Sequence, residues 1–168
     1  PQPTQIDFEN QLAIALMKST ASYRGRLLIE DEGKLIGQRA VPLDLRQALH
    51  HQPVIIINTP LEERITNIIN EYIIQPLQQC CQTLGDAQGW QCFRQAVLDN
   101  LGRIKIRLGG LRFAEMSRSF EASLLAHQAG QPSTVFSPWV SRLLLEYYDP
   151  MYDYQLSKSQ RKVLLEGS

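Results

Sequence analysis

The strongest constraint on the fold is a short run of β-branched apolar residues, Val54-Ile55-Ile56-Ile57, which lies between Pro53 and Pro60. Every position of the run is apolar, so a strand formed by it has two apolar faces, as in parallel sheets that are covered on both sides. Thr59-Pro60-Leu61-Glu62 follows and predicts a helix with a capping box and a proline at its first position. Strand, tight turn and capped helix together predict half of a βαβ unit.

Two other apolar runs predict further strands of the same sheet. Leu27-Leu28-Ile29 ends in acidic residues, and Val163-Leu164-Leu165 lies near the end of the chain. Most of the remaining sequence has apolar residues at helical spacing. The predicted fold class is therefore α/β, with a small parallel sheet of three strands and a large helical portion.

Helical periodicity and its interruptions predict where the helices begin and end. We expect Gly109-Gly110 to separate two helices, Asp149-Pro150 to end a third, and residues 82–90, with Gly85 and Gly89, to form a loop. The predicted helices cover residues 6–18, 43–50, 61–73, 93–108, 113–124 and 137–149.

Composition excludes several classes of protein. The 168 residues suffice for one domain, and 17 basic residues balance 17 acidic ones, so global charge gives no case for nucleic acid or an anionic membrane. Three cysteines are too few for a disulfide framework, so we expect a reducing, cytoplasmic environment. The chain begins at Pro1 without an initiator methionine, and we expect it to be a piece of a longer protein.

A cluster of basic residues interrupts this neutrality. Residues 94–118 contain six Lys or Arg against two Asp or Glu, a net charge of +4. Arg107 and Arg112 flank Gly109 and Gly110, and such a turn can wrap phosphate groups through bidentate arginine contacts. A solvated helix face with a glycine at its end is the structural alternative. Our candidate phosphate-binding group is Arg107, Gly109, Gly110 and Arg112.

The apolar run Leu27-Leu28-Ile29 leads into Asp31 and Glu32 and so resembles a Walker B strand, which places a carboxylate beside a metal-bound phosphate. A strand ending in a solvated acidic turn is the alternative. A Walker A loop needs four residues between its glycines and Ser or Thr after its lysine. Gly25 and Gly33-Lys34 meet neither requirement. We expect Asp31 and Glu32 to contact a metal ion or a phosphate-bound water, and no phosphate loop in this chain.

Tyrosines are concentrated in the segment Tyr147-Tyr148-Asp149-Pro150-Met151-Tyr152-Asp153-Tyr154, which holds four of the six in the chain. Aromatic faces and phenol groups around a proline turn can stack on a base or an isoprenoid chain. A structural corner held by tyrosine hydroxyls fits the spacing equally well. Our candidate substrate contacts are Tyr148, Asp149, Tyr152 and Tyr154. We call residues 147–154 the tyrosine string.

Taken together, several segments resemble the C-terminal part of bacterial tRNA 2-selenouridine synthase. They occur in the same order and span nearly the whole chain, and the tyrosine string is the most specific of them. The matching segments are Phe8-Glu9-Asn10-Gln11-Leu12-Ala13, Ile29-Glu30-Asp31-Glu32 with Ile36-Gly37, Leu61-Glu62-Glu63-Arg64, Arg107-Leu108-Gly109-Gly110-Leu111-Arg112 and Tyr147-Tyr148-Asp149-Pro150-Met151-Tyr152.

This resemblance implies a two-domain transferase that modifies the wobble uridine of certain tRNAs. A rhodanese-like domain carries the catalytic cysteine, and a P-loop domain is linked to geranyl diphosphate. The sulfur of 2-thiouridine is geranylated, and selenophosphate then supplies selenium to give 2-selenouridine. Selenophosphate and geranyl diphosphate are the implied co-substrates, with Mg²⁺ as a further candidate.

The resemblance also implies that residues 1–168 form a single C-terminal fragment of a partial P-loop-NTPase-like domain. The rhodanese domain and the Walker A loop lie outside it, so the nucleophile is absent and we expect this chain alone to be inactive. The implied partners are tRNA and the missing part of the same protein, with no membrane. Two alternatives remain open: a fragment of a P-loop kinase or NTPase of other specificity, and a non-catalytic helical binding module.

Overall fold

The computed structural model describes residues 2–22, 27–31 and 33–167, which are mostly helical. Contacts between Cα atoms divide the chain into two units: unit 1 is Pro1–Ile56 with Arg161–Glu166, and unit 2 is Ile57–Gln160 with Gly167–Ser168. The α-helices are α1 (Gln5–Ser22), α2 (Leu43–His50), α3 (Leu61–Ile68), α4 (Gln75–Leu84), α5 (Asp86–Arg103), α6 (Lys105–Leu108), α7 (Gly110–Gln128), α8 (Ser137–Leu143) and α9 (Asp149–Lys158). The strands are β1 (Leu35–Ile36), β2 (Arg39–Ala40), β3 (Val54–Ile57) and β4 (Val163–Gly167).

Four strands form two separate two-stranded sheets. β1 and β2 are an antiparallel hairpin with Leu35 opposite Ala40. β3 pairs with β4, and the Val54 amide donates to the Lys162 carbonyl at 2.9 Å. The Asn58 amide donates to the Gly167 carbonyl at 2.7 Å, so the residue numbers rise together and the strands are parallel. The predicted strands at residues 54–57 and 163–165 are confirmed.

The predicted third parallel strand is wrong. Residues 27–31 have no regular secondary structure, so the parallel sheet in the described part of the chain has two strands rather than three. A short apolar run becomes a strand only beside a partner that supplies hydrogen bonds, and β3 pairs with β4 instead. The α/β class is confirmed as a mostly helical chain with a two-stranded parallel sheet. The likeness to a P-loop NTPase stays a prediction.

Helix α3 begins one residue later than the capping box predicts. Pro60 occupies the N-cap position, and no side chain caps the helix. Continuing from α3, residues Ile69–Ile74 form a π-helical segment in which the Gln75 amide bonds to the Asn70 carbonyl. Pro76 then lies in the first turn of α4.

The same arrangement recurs at Asp149-Pro150, which does not end a helix as predicted. Residues Leu144–Tyr148 form a second π segment, the Asp149 amide bonds to the Leu144 carbonyl, and α9 continues to Lys158. Proline normally breaks a helix because it lacks an N–H and its ring meets the carbonyl four residues back. A widened π turn shifts this bonding register and accommodates the ring.

Residues 82–90 are helical on both sides of Gly85, so the predicted loop is wrong. Gly85 has φ +77° and is the single break between α4 and α5. A Cβ at Gly89 would lie 2.5 Å from the Cys81 Cα, so only glycine permits this close approach of the two helices. Burial raises the pKa of Cys80, and nearby Cys92 raises it further.

Unit 2 contains a continuous hydrophobic core built around Phe120. Its ring centroid lies 5.1 Å from that of Trp139 and 6.2 Å from that of Phe93, in tilted and edge-on geometries that aromatic pairs favour. The predicted stripes of α5 and α7 supply much of this core, and α6 and α8 pack against it. The buried members are Ile69, Ile73, Leu77, Phe93, Leu101, Leu108, Met116, Phe120, Leu124, Phe136, Trp139, Val140, Leu144 and Tyr147.

Candidate functional site

The turn between α6 and α7 is reduced to a single residue. Gly109 has φ +81° and ψ 155°, a conformation that glycine alone adopts readily, and α7 begins immediately at Gly110. A Cβ at Gly110 would meet nothing within 4 Å, so the second glycine is required neither by its backbone nor by close packing. We call residues 106–112 the arginine elbow.

Arg107 of the elbow bonds to the tyrosine string. Its Nη1 donates to the Tyr147 hydroxyl at 3.4 Å. The Tyr147 ring is buried with 8% of its surface exposed, and a buried phenol usually needs a polar partner. Tyr147 in turn lies edge-on to Tyr148 with 4.9 Å between ring centroids. Two segments singled out separately in the sequence therefore meet on one surface of unit 2.

Arg112 lies beside an acidic side chain rather than in open solvent. Its Nε is 3.9 Å from a carboxylate oxygen of Glu146, and 57% of the arginine side chain remains exposed. Arg142 also binds Glu146, at 2.7 Å, and Glu115, at 3.1 Å. Hydrogen bonding from Arg142 lowers the pKa of Glu146 and raises that of Arg142 itself. This network partly neutralises the predicted positive charge of the elbow.

Asp149 is occupied by a partner that sequence reasoning missed. Arg64 of α3 donates to both carboxylate oxygens, at 2.5 Å and 3.2 Å, and the two side chains are mostly buried. The hydrogen bond to Asp149 raises the pKa of Arg64, with a smaller contribution from nearby Tyr152. Arg64 lies in one of the segments that carry the resemblance, but 85 residues separate it from Asp149.

Of the two tyrosines in α9, Tyr152 lies on the side of Tyr148, and Tyr154 lies on the other side. Burial raises the pKa of Tyr148, and the nearby phenols of Tyr147, Tyr152 and Tyr72 raise it further. Tyr72, from the first π segment, was not among the predicted contacts. Tyr154 is two residues beyond Tyr152, about 200° around the helix, and its ring lies under the Lys158 ammonium at 5.5 Å.

Two large apolar side chains are exposed on the elbow itself. Ile106 is 96% exposed and Leu111 is 73% exposed, one on each side of Gly109. Arginines and apolar side chains thus alternate along this short segment.

Asp31 lies in unit 1, where its carboxylate pairs with the Arg161 guanidinium. Glu32 falls outside the described residues. Within the described ranges, no group of three His, Cys, Asp or Glu side chains is placed to hold a metal ion. Asp31 is paired with a cation, so it would have to leave Arg161 before its carboxylate could contact Mg²⁺. No described helix has the length and hydrophobicity needed to cross a membrane.

Comparison with protein families gives a match over the whole chain. A family model described as the tRNA 2-selenouridine synthase AAA domain matches residues 1–168. No solved structure matches the chain.

Curated proteins from several bacteria are similar to this chain, and each is named tRNA 2-selenouridine synthase. The protein of Shewanella denitrificans is 40% identical over 168 residues, which are 99% of this chain and 46% of the relative. Those of Hahella chejuensis and Alcanivorax borkumensis are each 38% identical over 167 residues, again 99% of this chain, and 44% and 46% of the relatives. The chain thus spans less than half the length of the relatives it matches.

Proposed function

The chain belongs to the tRNA 2-selenouridine synthase AAA domain family, and on that premise we propose that it is the C-terminal part of an enzyme that converts wobble 2-thiouridine to 2-selenouridine in tRNA. In the proposed reaction, the thiocarbonyl sulfur attacks C1 of geranyl diphosphate, a C–S bond forms, and diphosphate leaves. The selenium of selenophosphate then attacks C2 of the base, the C–S bond breaks and geranyl thiol leaves, and water cleaves the Se–P bond to release phosphate. The rest of the longer protein supplies the catalytic cysteine and the main phosphate loop.

The hydrogen bond between Arg107 and Tyr147 carries this proposal. It joins the arginine elbow to the tyrosine string, so cationic and aromatic contacts occur on one surface of unit 2. A tRNA substrate needs both kinds of contact, cations for the backbone and aromatic faces for an unstacked base. The exposed rings of Tyr72 and Tyr152 are the described aromatic faces available for stacking near Tyr148.

The elbow would assist the first step by holding the departing diphosphate. Negative charge develops on the bridging oxygen as the C–O bond breaks, and guanidinium groups fixed nearby lower the energy of that transition state. Arg107 is held in position by Tyr147, and Arg112 by Glu146. The exposed side chains of Ile106 and Leu111 would contact the isoprenoid chain. Selenophosphate, also an anion, would use the same arginines in the second step.

Asp31 and Glu32 are proposed as contacts to a phosphate-bound water or metal ion in the complete enzyme. Mg²⁺ needs only one or two carboxylates when substrate phosphates complete its coordination. Such a role requires Asp31 to exchange its Arg161 partner for the ligand. In the longer protein, Asp31→Asn then reduces turnover by more than its effect on stability accounts for. Unchanged turnover would assign the ion pair a structural role.

The function is tested by nucleoside mass spectrometry of thiolated tRNA incubated with geranyl diphosphate and selenophosphate. We expect the longer protein to produce first S-geranyl-2-thiouridine and then 2-selenouridine, and this chain alone to produce neither. We also propose a cytoplasmic location, since the proposed substrate is tRNA, and the tRNA is prepared from cytoplasmic extract. Selenated product without a geranylated species would contradict the proposed route, and no product from the longer protein would contradict the function.

A further inference from the structure

Unit 1 has almost no interior of its own. Among the described residues, Val41 is the only buried hydrophobic side chain in unit 1, and all the others lie in the core of unit 2. A segment of this size must bury well over half of its accessible surface to be stable by itself. The other described apolar residues of unit 1 are half-buried or exposed.

The β3–β4 sheet is the clearest case. Leu164 is 58% exposed and Leu165 is 63% exposed, and because adjacent residues of a strand point to opposite faces, both faces of β4 are uncovered. Ile55 of β3 is also exposed. Parallel sheets occur almost only with both faces covered, and two strands alone are marginally stable in water.

The first three residues of β4 do not protect its free edge, and the single charged residue of the strand, Glu166, lies next to its last residue. Natural edge strands carry a central charge, a proline or a bulge that prevents further pairing, and Val163-Leu164-Leu165 contains none of these. The strand has the composition of an interior strand. Among the described strands only β3 pairs with β4, and the exposed apolar faces of β4 suit another strand alongside it.

Helix α1 gives independent support from the same unit. Ile6, Ile14 and Met17 fall within about 80° around the helix, and all three are more than half exposed. The half-buried side of the helix carries Phe8, Leu12 and Leu16. A helix with apolar residues on opposite sides is typical of one that is covered on both sides.

From these observations we infer that unit 1 is completed by the remainder of the longer polypeptide. At least one further strand pairs with the β3–β4 sheet, and apolar side chains from the same segment cover Leu164, Leu165 and the outer side of α1. The occupant is the rest of the protein, because the matching relatives are more than twice as long as this chain. This inference rests on the proposed function only in taking the chain as part of such a longer protein.

Cysteine labelling of the native longer protein tests the inference. Leu164→Cys and Leu165→Cys probe the two faces of β4, and Leu125→Cys on α7, where the leucine is 66% exposed, is the matched control. Site-specific alkylation is measured by peptide mass spectrometry, which distinguishes the introduced cysteine from the native Cys80, Cys81 and Cys92. We expect both β4 sites to react at least tenfold more slowly than the control in native protein and at the same rate in urea.

Hydrogen exchange of the unsubstituted longer protein is the companion measurement, because it needs no variant to fold. Amides of residues 163–167 should be protected to the level of the α7 core. Equal labelling of all three sites with rapid exchange in β4 would overturn the inference. Protection that disappears on dilution would identify a second copy as the occupant and would also overturn it. Neither readout needs catalysis, so an enzymatically inactive protein can still support the inference.

Discussion

The Arg107 guanidinium donates a hydrogen bond to the buried Tyr147 hydroxyl at 3.4 Å, and this contact joins α6 to the second π segment. The arginine therefore has a structural duty besides any contact to a ligand. Removing Arg107 leaves a buried phenol without its partner, whereas Tyr147→Phe removes the same hydrogen bond and keeps the arginine. Comparing the two variants separates the structural role of Arg107 from its role in ligand binding. Arg112 is 57% exposed, so its substitution tests ligand binding with less effect on the fold.

The two glycines of the elbow should respond differently to alanine. Gly109→Ala forces a side chain into a conformation with φ +81°, so we expect it to lower the free energy of unfolding by about 1–3 kcal/mol. Gly110→Ala places a methyl group in open space at a helical position and should be neutral or stabilising by up to about 1 kcal/mol. Urea denaturation of both variants measures the difference, and equal effects would contradict the described turn.

The Arg64–Asp149 pair should couple more strongly than a surface ion pair. Its two hydrogen bonds and partial burial predict a coupling of about 1–2 kcal/mol in a double-mutant cycle with Arg64→Ala and Asp149→Ala. The more exposed pair Arg94–Glu121 is the matched control, with an expected coupling below about 0.5 kcal/mol. Thermal denaturation gives both values. Equal couplings would show that the bidentate geometry adds nothing.

Glu146 should make stability depend on acid pH. Its hydrogen bond from Arg142 lowers its pKa in the folded state, so its contribution is fully present above the pKa of the unfolded chain, about 4.3. That contribution is lost as the pH falls through the lower, folded-state pKa. Glu146→Gln should therefore destabilise the protein more at pH 7 than at pH 3. A difference independent of pH would contradict the lowered pKa.

Local sequence patterns predicted those features that depend on neighbouring residues. The run at residues 54–57 predicted β3, and the stripes beginning at Phe93 and Phe113 predicted the helices around Phe120. The strand at residues 27–29 failed because a strand also requires a partner, which local pattern does not specify. Asp149-Pro150 predicts a helix end because proline disrupts the hydrogen bonding of an α-helix. The prediction failed because the π segment before Asp149 changes the hydrogen-bonding register and so accommodates the proline.

The site shows the same division between local and distant information. Arg107 with Gly109, and separately the tyrosine string, were singled out because the residues within each segment are close in sequence. Arg64 and Tyr72 were missed, because only the folded chain brings Arg64 to Asp149 and Tyr72 near Tyr148. Their signal in the sequence was slight, an arginine within a segment that resembles the family and a lone tyrosine on an apolar helix.

The central claim is that the arginine elbow binds a phosphate group. It is tested most directly by the affinities of the longer protein for geranyl diphosphate and for tRNA, with Arg107→Ala and Arg112→Ala as variants. Tyr147→Phe controls for the lost hydrogen bond, and Arg118→Ala controls for loss of an exposed arginine elsewhere on α7. We expect each elbow variant to weaken at least one ligand by roughly tenfold to a hundredfold, since charge-assisted contacts contribute about 1.5–3 kcal/mol. Arg118→Ala should leave both affinities within about twofold, and Tyr147→Phe, which keeps the Arg107 guanidinium but no longer holds it in position, should weaken binding less than Arg107→Ala.

The salt dependence identifies which phosphate is bound. A contact to the tRNA backbone lowers the slope of log K against log salt by about one per arginine, whereas a diphosphate site mainly changes the affinity for the small ligand. If neither elbow variant changes either affinity by more than about twofold, or if Tyr147→Phe reproduces the effect of Arg107→Ala while Arg112→Ala has none, the elbow is a structural turn and the account is contradicted.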